Sequence, residues 1–170
     1  VGVTNCESTE QRLRKRLGPA DRLVQDPLYT TKASEVIEAG DLVVGTGRGF
    51  MEAASRGRIL LAPLTGANYP VLVTPENWRH LFRTNFSPRG HIPGHDEEAN
   101  YKAIRRAVED SHYADRLKAF SREIFEEHFS IENAIEKYLR VYREVQPCRL
   151  HLLDTVSHTL RALRNSVKGK

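Results

Sequence analysis

Short apolar runs and helical periodicities alternate over the first third of the chain. VGVT at residues 1–4 reads as a strand, and Leu13 and Leu17 lie one turn apart on a helix from Glu10 to Leu17, closed by Gly18-Pro19. Leu23-Val24 is a second short strand, followed by an Asp26-Pro27 turn. Lys32 to Ala39 puts Ala33, Val36 and Ile37 on one helical face, and Gly40 ends it. Asp41 to Val44 is then a strand, Arg48 to Arg56 a helix stopping at Gly57, and Arg58 to Ala62 (RILLA) a buried strand.

Strands alternating with helices of this length predict βαβ units and a parallel sheet. Parallel strands are covered on both faces, which fits the lack of polar alternation in LVV and ILLA. Residues 64–97 break the pattern with dense Pro, Gly, Asn and His, around one short helix beginning at Thr74-Pro75-Glu76. Beyond Glu97 the chain reads as helix almost throughout. The cleanest element is 131–145, where Ile131, Ala134, Ile135, Tyr138, Leu139, Tyr142 and Val145 keep helical spacing behind Ser130 as cap. Pro147 breaks the chain. A last helix then carries Leu153, Val156, Leu160, Leu163 and Val167 as a heptad-like seam that needs a partner.

Composition narrows the class. With 170 residues, 39% of them hydrophobic, the chain has material for one compact domain and too little for two. Cys6 and Cys148 lack a partner motif and read as reduced thiols of a cytoplasmic protein. No apolar run reaches the roughly 18 residues of a membrane span. The net charge of +4 is concentrated in EQRLRKRLG and in the tail, with Arg149, Arg161, Arg164, Lys168 and Lys170 against Asp154. No aromatic residues are interleaved with these cations for base stacking, so solvated helix faces are expected and nucleic acid is not.

The candidate chemistry lies in GDLVVGTGRGFMEAASRGRILLAP, residues 40–63. Ligands of open parallel sheets bind at the carboxyl ends of the strands, and the glycine turn falls there. Gly45, Gly47 and Gly49 permit a tight backbone, and amides at the start of the following helix attract anions. Thr46 and Arg48 can donate to a phosphate. The run is neither a dinucleotide fingerprint, since Glu52 stands where its last glycine would be, nor a Walker A loop, since no Lys-Ser or Lys-Thr follows. A carboxylate at Glu52 suits two vicinal hydroxyls, as on a ribose. The plainer alternative is that it complements the helix dipole.

VVGTGRGFMEAASRGRILLAP resembles the donor-binding segment of the group-1 (family four) retaining glycosyltransferases, in which a Gly-rich turn leads to a Glu-Ala helix and then a strand. Glu52, Ala53, Ala54 and Gly57 match that pattern. YADRLKAFSREIFEEHFSIENAIEKYLRVYREV resembles the family's closing segment, and the resemblance covers roughly residues 1–145. It implies an α/β, Rossmann-like parallel sheet flanked by helices, one half of a two-domain GT-B-type enzyme, with a helix-rich C-terminus. On this basis 1–146 is a nucleotide-sugar donor-binding domain lacking its first strand. Residues 147–170 are a terminal helix packing on a partner or the missing domain, with a homodimer or peripheral membrane association as alternatives. The implied ligand is a nucleoside-diphosphate sugar, donating to an acceptor hydroxyl held by an N-terminal acceptor domain or partner subunit.

The sequence departs from the family in two places. Val44 stands where an earlier Glu is usual, and the first strand with its Arg and Lys is missing. These departures favour a rival reading, a non-catalytic assembly or regulatory module with a transferase shell. No catalytic residue is assigned, and no cofactor or metal is required. His91 and His95 have a spacing that binds zinc on a helix, but Pro93 and Gly94 between them forbid one; a mobile polar loop over the donor is expected instead. A third reading, a stand-alone nucleotide- or phosphosugar-processing enzyme, would recruit one of these histidines as base. His80, His112 and His128 fall within helices and read as surface or packing residues.

Overall fold

The computed structural model describes residues 2–3, 7–16, 18–145 and 156–157. It divides into two compact units, Val1–Asn133 and Ala134–Lys170. In the first, β1 (Gly2–Val3) and β2 (Leu23–Val24) pair in parallel on either side of α1 (Glu7–Arg14). Asp26 and Pro27 do more than turn the chain. The Asp26 carboxylate accepts the Leu28 N–H at 2.8 Å and Pro27 opens α2 (Pro27–Thr31), where its missing N–H costs nothing. The helix predicted over 32–39 starts one residue later: Lys32 leaves helical geometry and separates α2 from α3 (Ala33–Val36), which tightens into a 3-10 turn, Ile37–Ala39.

The central layer is a three-stranded sheet of β3 (Leu42–Val44), β4 (Ile59–Ala62) and β5 (Val71–Leu72), in the order β3-β4-β5. The first two are parallel, joined through α4 (Gly47–Ser55) as a βαβ unit. The expectation of a wholly parallel sheet is corrected at β5, which runs antiparallel to β4 with Leu61 opposite Leu72. The reason is the connection. Residues 63–70 contain no helix to carry the chain back across the sheet, and a short link permits only an antiparallel return. The fold is α/β with a small mixed sheet, and β1–β2 form a separate pair.

β4 is buried along its whole length, and its alternation feeds two cores. Leu60 and Ala62 face Phe50, Ala53 and Ala54 of α4, Ile124, and Trp78, Leu81 and Phe86 of the segment around α5 (Trp78–Phe82). Ile59 and Leu61 face Leu72, Ala107 and Leu117, from β5, α6 (Glu97–Glu109) and α7 (Ser111–Ile124). Each leucine buried this way stabilises the fold by about 1.5–3 kcal/mol. Asp96 caps α6 through the Glu98 and Ala99 N–H groups, and Asp110 caps α7 through that of Tyr113. A π-helical turn, Phe125–Phe129, ends α7 and brings Phe129 edge-on to Phe50 and Phe86.

The two borders of the sheet differ. At β5, Asn100 of α6 takes the place of a neighbouring strand: its Oδ1 accepts the Leu72 N–H at 2.9 Å, and its Nδ2 donates to the Pro70 carbonyl at 3.1 Å. At β3, the Asp41 carbonyl and Gly45 N–H bond to β4, so residues 41, 43 and 45 face it. The main-chain groups of Leu42 and Val44 point the other way, and no strand pairs with them among the described residues.

The helix predicted over 131–145 forms as α8 (Ile131–Glu144), with the Ser130 hydroxyl 3.5 Å from the Asn133 N–H. None of its side chains is buried, and Ile131, Tyr138 and Tyr142 are exposed. Apart from Val156 and Ser157, which are helical, the predicted terminal helix lies outside the described residues. Among those residues no helix is long and apolar enough to cross a membrane.

Candidate functional site

β3 delivers the chain to Gly45, whose N–H donates to the Leu61 carbonyl at 3.1 Å and extends the ladder by one residue. A Cβ at Gly45 would lie 3.0 Å from the Phe50 nitrogen, so the strand end can approach the helix this closely only without a side chain. Thr46 is extended (φ −133°, ψ 153°) and precedes α4, but its hydroxyl makes no capping bond. Gly47, one residue earlier than the sequence predicts, opens the helix at φ +48°. Its N–H donates to the Asn85 carbonyl at 3.0 Å. Gly49 is a different case, because a Cβ there would meet nothing within 4 Å. Packing among the described residues does not require a glycine at this position.

The amides of the turn therefore divide. Gly45 and Gly47 have carbonyl partners, whereas the Arg48 and Gly49 N–H groups have none among the described residues. They stand at the positive end of α4, where an anion gains from both amides and dipole.

The turn opens on a cavity of about 540 Å³. Val36, Ile37 and Ala39 form one wall, β3 with Val44 another, and Gly45, Gly49 and Glu52 the end nearest the helix. Glu52 is predicted to hold a ligand hydroxyl pair, and its side chain is 26% exposed at this cavity. It is not unpartnered. Arg48, one turn earlier, donates from Nε to Glu52 Oε1 at 2.7 Å, while 91% of the Arg48 side chain remains exposed. The second Glu52 oxygen and the terminal Arg48 nitrogens have no protein partner among the described residues. Arg48 can thus hold the carboxylate with one nitrogen and meet an anion with the others. Val44, where the resembling family carries another Glu, adds apolar surface to the cavity rim and is 57% exposed.

Sequence reasoning missed the second wall of the glycine turn. Asn85 and Phe86 both adopt φ +55°, an uncommon pair of left-handed residues. Phe86 is fully buried and stacks on Phe50 with ring centroids 3.5 Å apart and planes 9° apart. Asn85 lies over Gly47, its Nδ2 only 3.1 Å from where a Gly47 Cβ would be. The density of turn-forming residues in TNFSPRG is the only signal for this turn, and it does not say which element the turn meets.

No histidine is among the residues that line the cavity. His91 is exposed, and the buried Nε2 of His95 has no hydrogen-bond partner among the described residues. The carboxylates beside His95 are committed elsewhere. The Ala99 N–H, and then that of Glu98, hold the Asp96 carboxyl below the usual aspartate range. The Asn68 side chain and N–H do the same for Glu97. No group of three metal-ligating side chains occurs among the described residues.

No protein-family model, curated protein or solved structure matches this chain.

Proposed function

We propose that this chain is the donor-binding half of a GT-B-type retaining glycosyltransferase and takes a nucleoside-diphosphate sugar at the end of β3. One observation carries this reading: Gly45, Gly49 and Glu52 line a single open cavity, and a carboxylate oxygen of Glu52 and the Arg48 and Gly49 amides have no partner among the described residues. The diphosphate lies over the Arg48 and Gly49 amides, within reach of the Thr46 hydroxyl, and the ribose diol donates to Glu52. Transfer to an acceptor hydroxyl then depends on stabilising the leaving diphosphate, which oriented amides and arginine accomplish without a metal. A second half or partner subunit supplies the acceptor.

Calorimetric titration with a panel of nucleoside diphosphates tests the assignment. Wild type is expected to bind at least one of them, and Glu52→Ala to bind it at least about tenfold more weakly, the loss of a charge-assisted hydrogen bond. Equal affinity in the two proteins would remove Glu52 from the site. Titration with the matching nucleoside, which lacks phosphates, should be weakened by the same factor.

A further inference from the structure

The cavity beside Glu52 is lined by no basic residue, and Arg48 is shared with Glu52. A diphosphate therefore meets little positive charge from the glycine turn itself. The segment folded against that turn has the opposite character. Residues 79–91, RHLFRTNFSPRGH, carry three arginines and two histidines and no acid. Arg79 is occupied over the Trp78 ring, 4.9 Å from its centroid. Arg83 and Arg89 are exposed and have no carboxylate partner among the described residues, whereas Arg48, Arg56, Arg105 and Arg106 each have one.

Chain geometry ties the turn that carries these two cations to the start of α4. The Asn85 carbonyl is fixed 3.0 Å from the Gly47 nitrogen. Arg83 is two residues away, so its Cα lies within about 8 Å of that of Asn85, a distance an extended arginine spans. Bonds from Ser87 N–H to the Thr84 carbonyl and from Gly90 N–H to the Ser87 carbonyl fold the turn back on itself. Arg89 Nε lies 3.4 Å from Ser87 Oγ, on the same turn. Burial of Phe86 and its stack on Phe50 anchor to α4 the turn that carries both arginines.

We infer that Arg83 and Arg89 are the diphosphate-neutralising residues of this site, reaching it from the turn that Asn85 ties to Gly47. The inference rests on the donor-binding reading and adds to it the source of the missing charge.

The test uses the full chain, with inorganic pyrophosphate, nucleoside diphosphates and the matching nucleosides as calorimetric probes. The Arg83→Gln/Arg89→Gln double variant is expected to lose at least about tenfold in affinity for pyrophosphate and nucleoside diphosphate. Its affinity for the nucleoside should be unchanged. Glu52→Ala should leave pyrophosphate binding unchanged. Arg105→Gln, a cation removed from α6, should alter neither; an equal loss there would reduce the effect to net charge and overturn the assignment. Urea midpoints for the double variant should match wild type, since both side chains are exposed. If the double variant binds pyrophosphate and nucleoside diphosphate like wild type while Glu52→Ala weakens the latter, the two arginines are excluded and the donor reading stands. If wild type binds no nucleoside diphosphate, both readings fall. Binding to phosphatidylserine vesicles through Arg83 and Arg89 without pyrophosphate affinity would make the strip a membrane contact and overturn the inference.

Discussion

The Asn85 carbonyl accepts the Gly47 amide proton at 3.0 Å, and the Asn85 Nδ2 lies 3.1 Å from where a Cβ on the same glycine would be. This pairing ties the start of α4 to a turn far along the sequence. It also fixes which amides of the glycine turn remain available to a ligand.

Gly47→Ala should therefore be costly. The left-handed φ of +48° penalises any L side chain by about 1–2 kcal/mol, and the added methyl would crowd Asn85 Nδ2 at 3.1 Å. Gly49→Ala meets no such obstacle within the chain and should raise helix stability by up to about 1 kcal/mol. Urea denaturation of the two variants measures the contrast, and similar midpoints would show that the turn is less constrained than its geometry indicates.

Phe86 accepts an unfavourable backbone conformation because its ring stacks on Phe50 in the core. Phe86→Ala is expected to destabilise by about 3–5 kcal/mol. Removing Phe50 as well should cost less than the sum of the two single changes, since each loses the same stack. A double-mutant cycle on equilibrium unfolding supplies the coupling, and strict additivity would mean the rings pack independently.

Asn100→Ala would leave the Leu72 N–H and the Pro70 carbonyl without partners at a partly buried border. A loss of about 1–3 kcal/mol is expected. Asn100→Asp restores the acceptor but not the donor and should fall between alanine and wild type. Hydrogen exchange at Leu72 gives an independent reading: its protection should drop in the alanine variant and persist in the aspartate one.

Acid should weaken the helical half through its caps. The Asp96 carboxyl is held low chiefly by the Ala99 N–H, with Glu98 N–H, Lys102 and His95 contributing. That of Asp110 is held low by the Tyr113 N–H and then by Arg106. Both folded-state values are depressed, so their stabilisation is complete above the unfolded aspartate value of about 3.9. It is lost as pH falls from there through the lower folded values. Unfolding free energy measured on acidification should fall more gently in Asp96→Asn/Asp110→Asn than in wild type. Identical slopes would show that neither carboxylate is linked to folding.

Local chemistry made much of this legible. The apolar runs at 42–44 and 59–62, the glycine stop at Gly57 and the helical spacing of 131–145 are encoded within a few residues, and they form as expected. β5 was hidden because Val71-Leu72 is too short to show a period, and its strand geometry comes from Leu61 and Ala62 across the sheet. The short helix expected from Thr74-Pro75 starts later, at Trp78, because the Asn77 side chain bonds back to the Thr74 N–H and the Leu72 carbonyl and holds the preceding residues in a turn. At the site, Glu52 and the glycines could be named from their order along the chain. The Arg48–Glu52 pair follows from i, i+4 spacing. The approach of Asn85 to Gly47 could not be read this way, since it depends on how the core seats Phe86.

The contrast between Asn100 and the outward groups of Leu42 and Val44 gives the sheet a direction. One margin is sealed by a side chain that imitates a neighbour, while the other still presents donors and acceptors. Among the described residues the margin open to a further strand is that of Leu42 and Val44, and a newcomer there would run along the wall of the hollow that Glu52 borders. Recruitment of an extra strand and occupation by a small molecule thus compete for a single space.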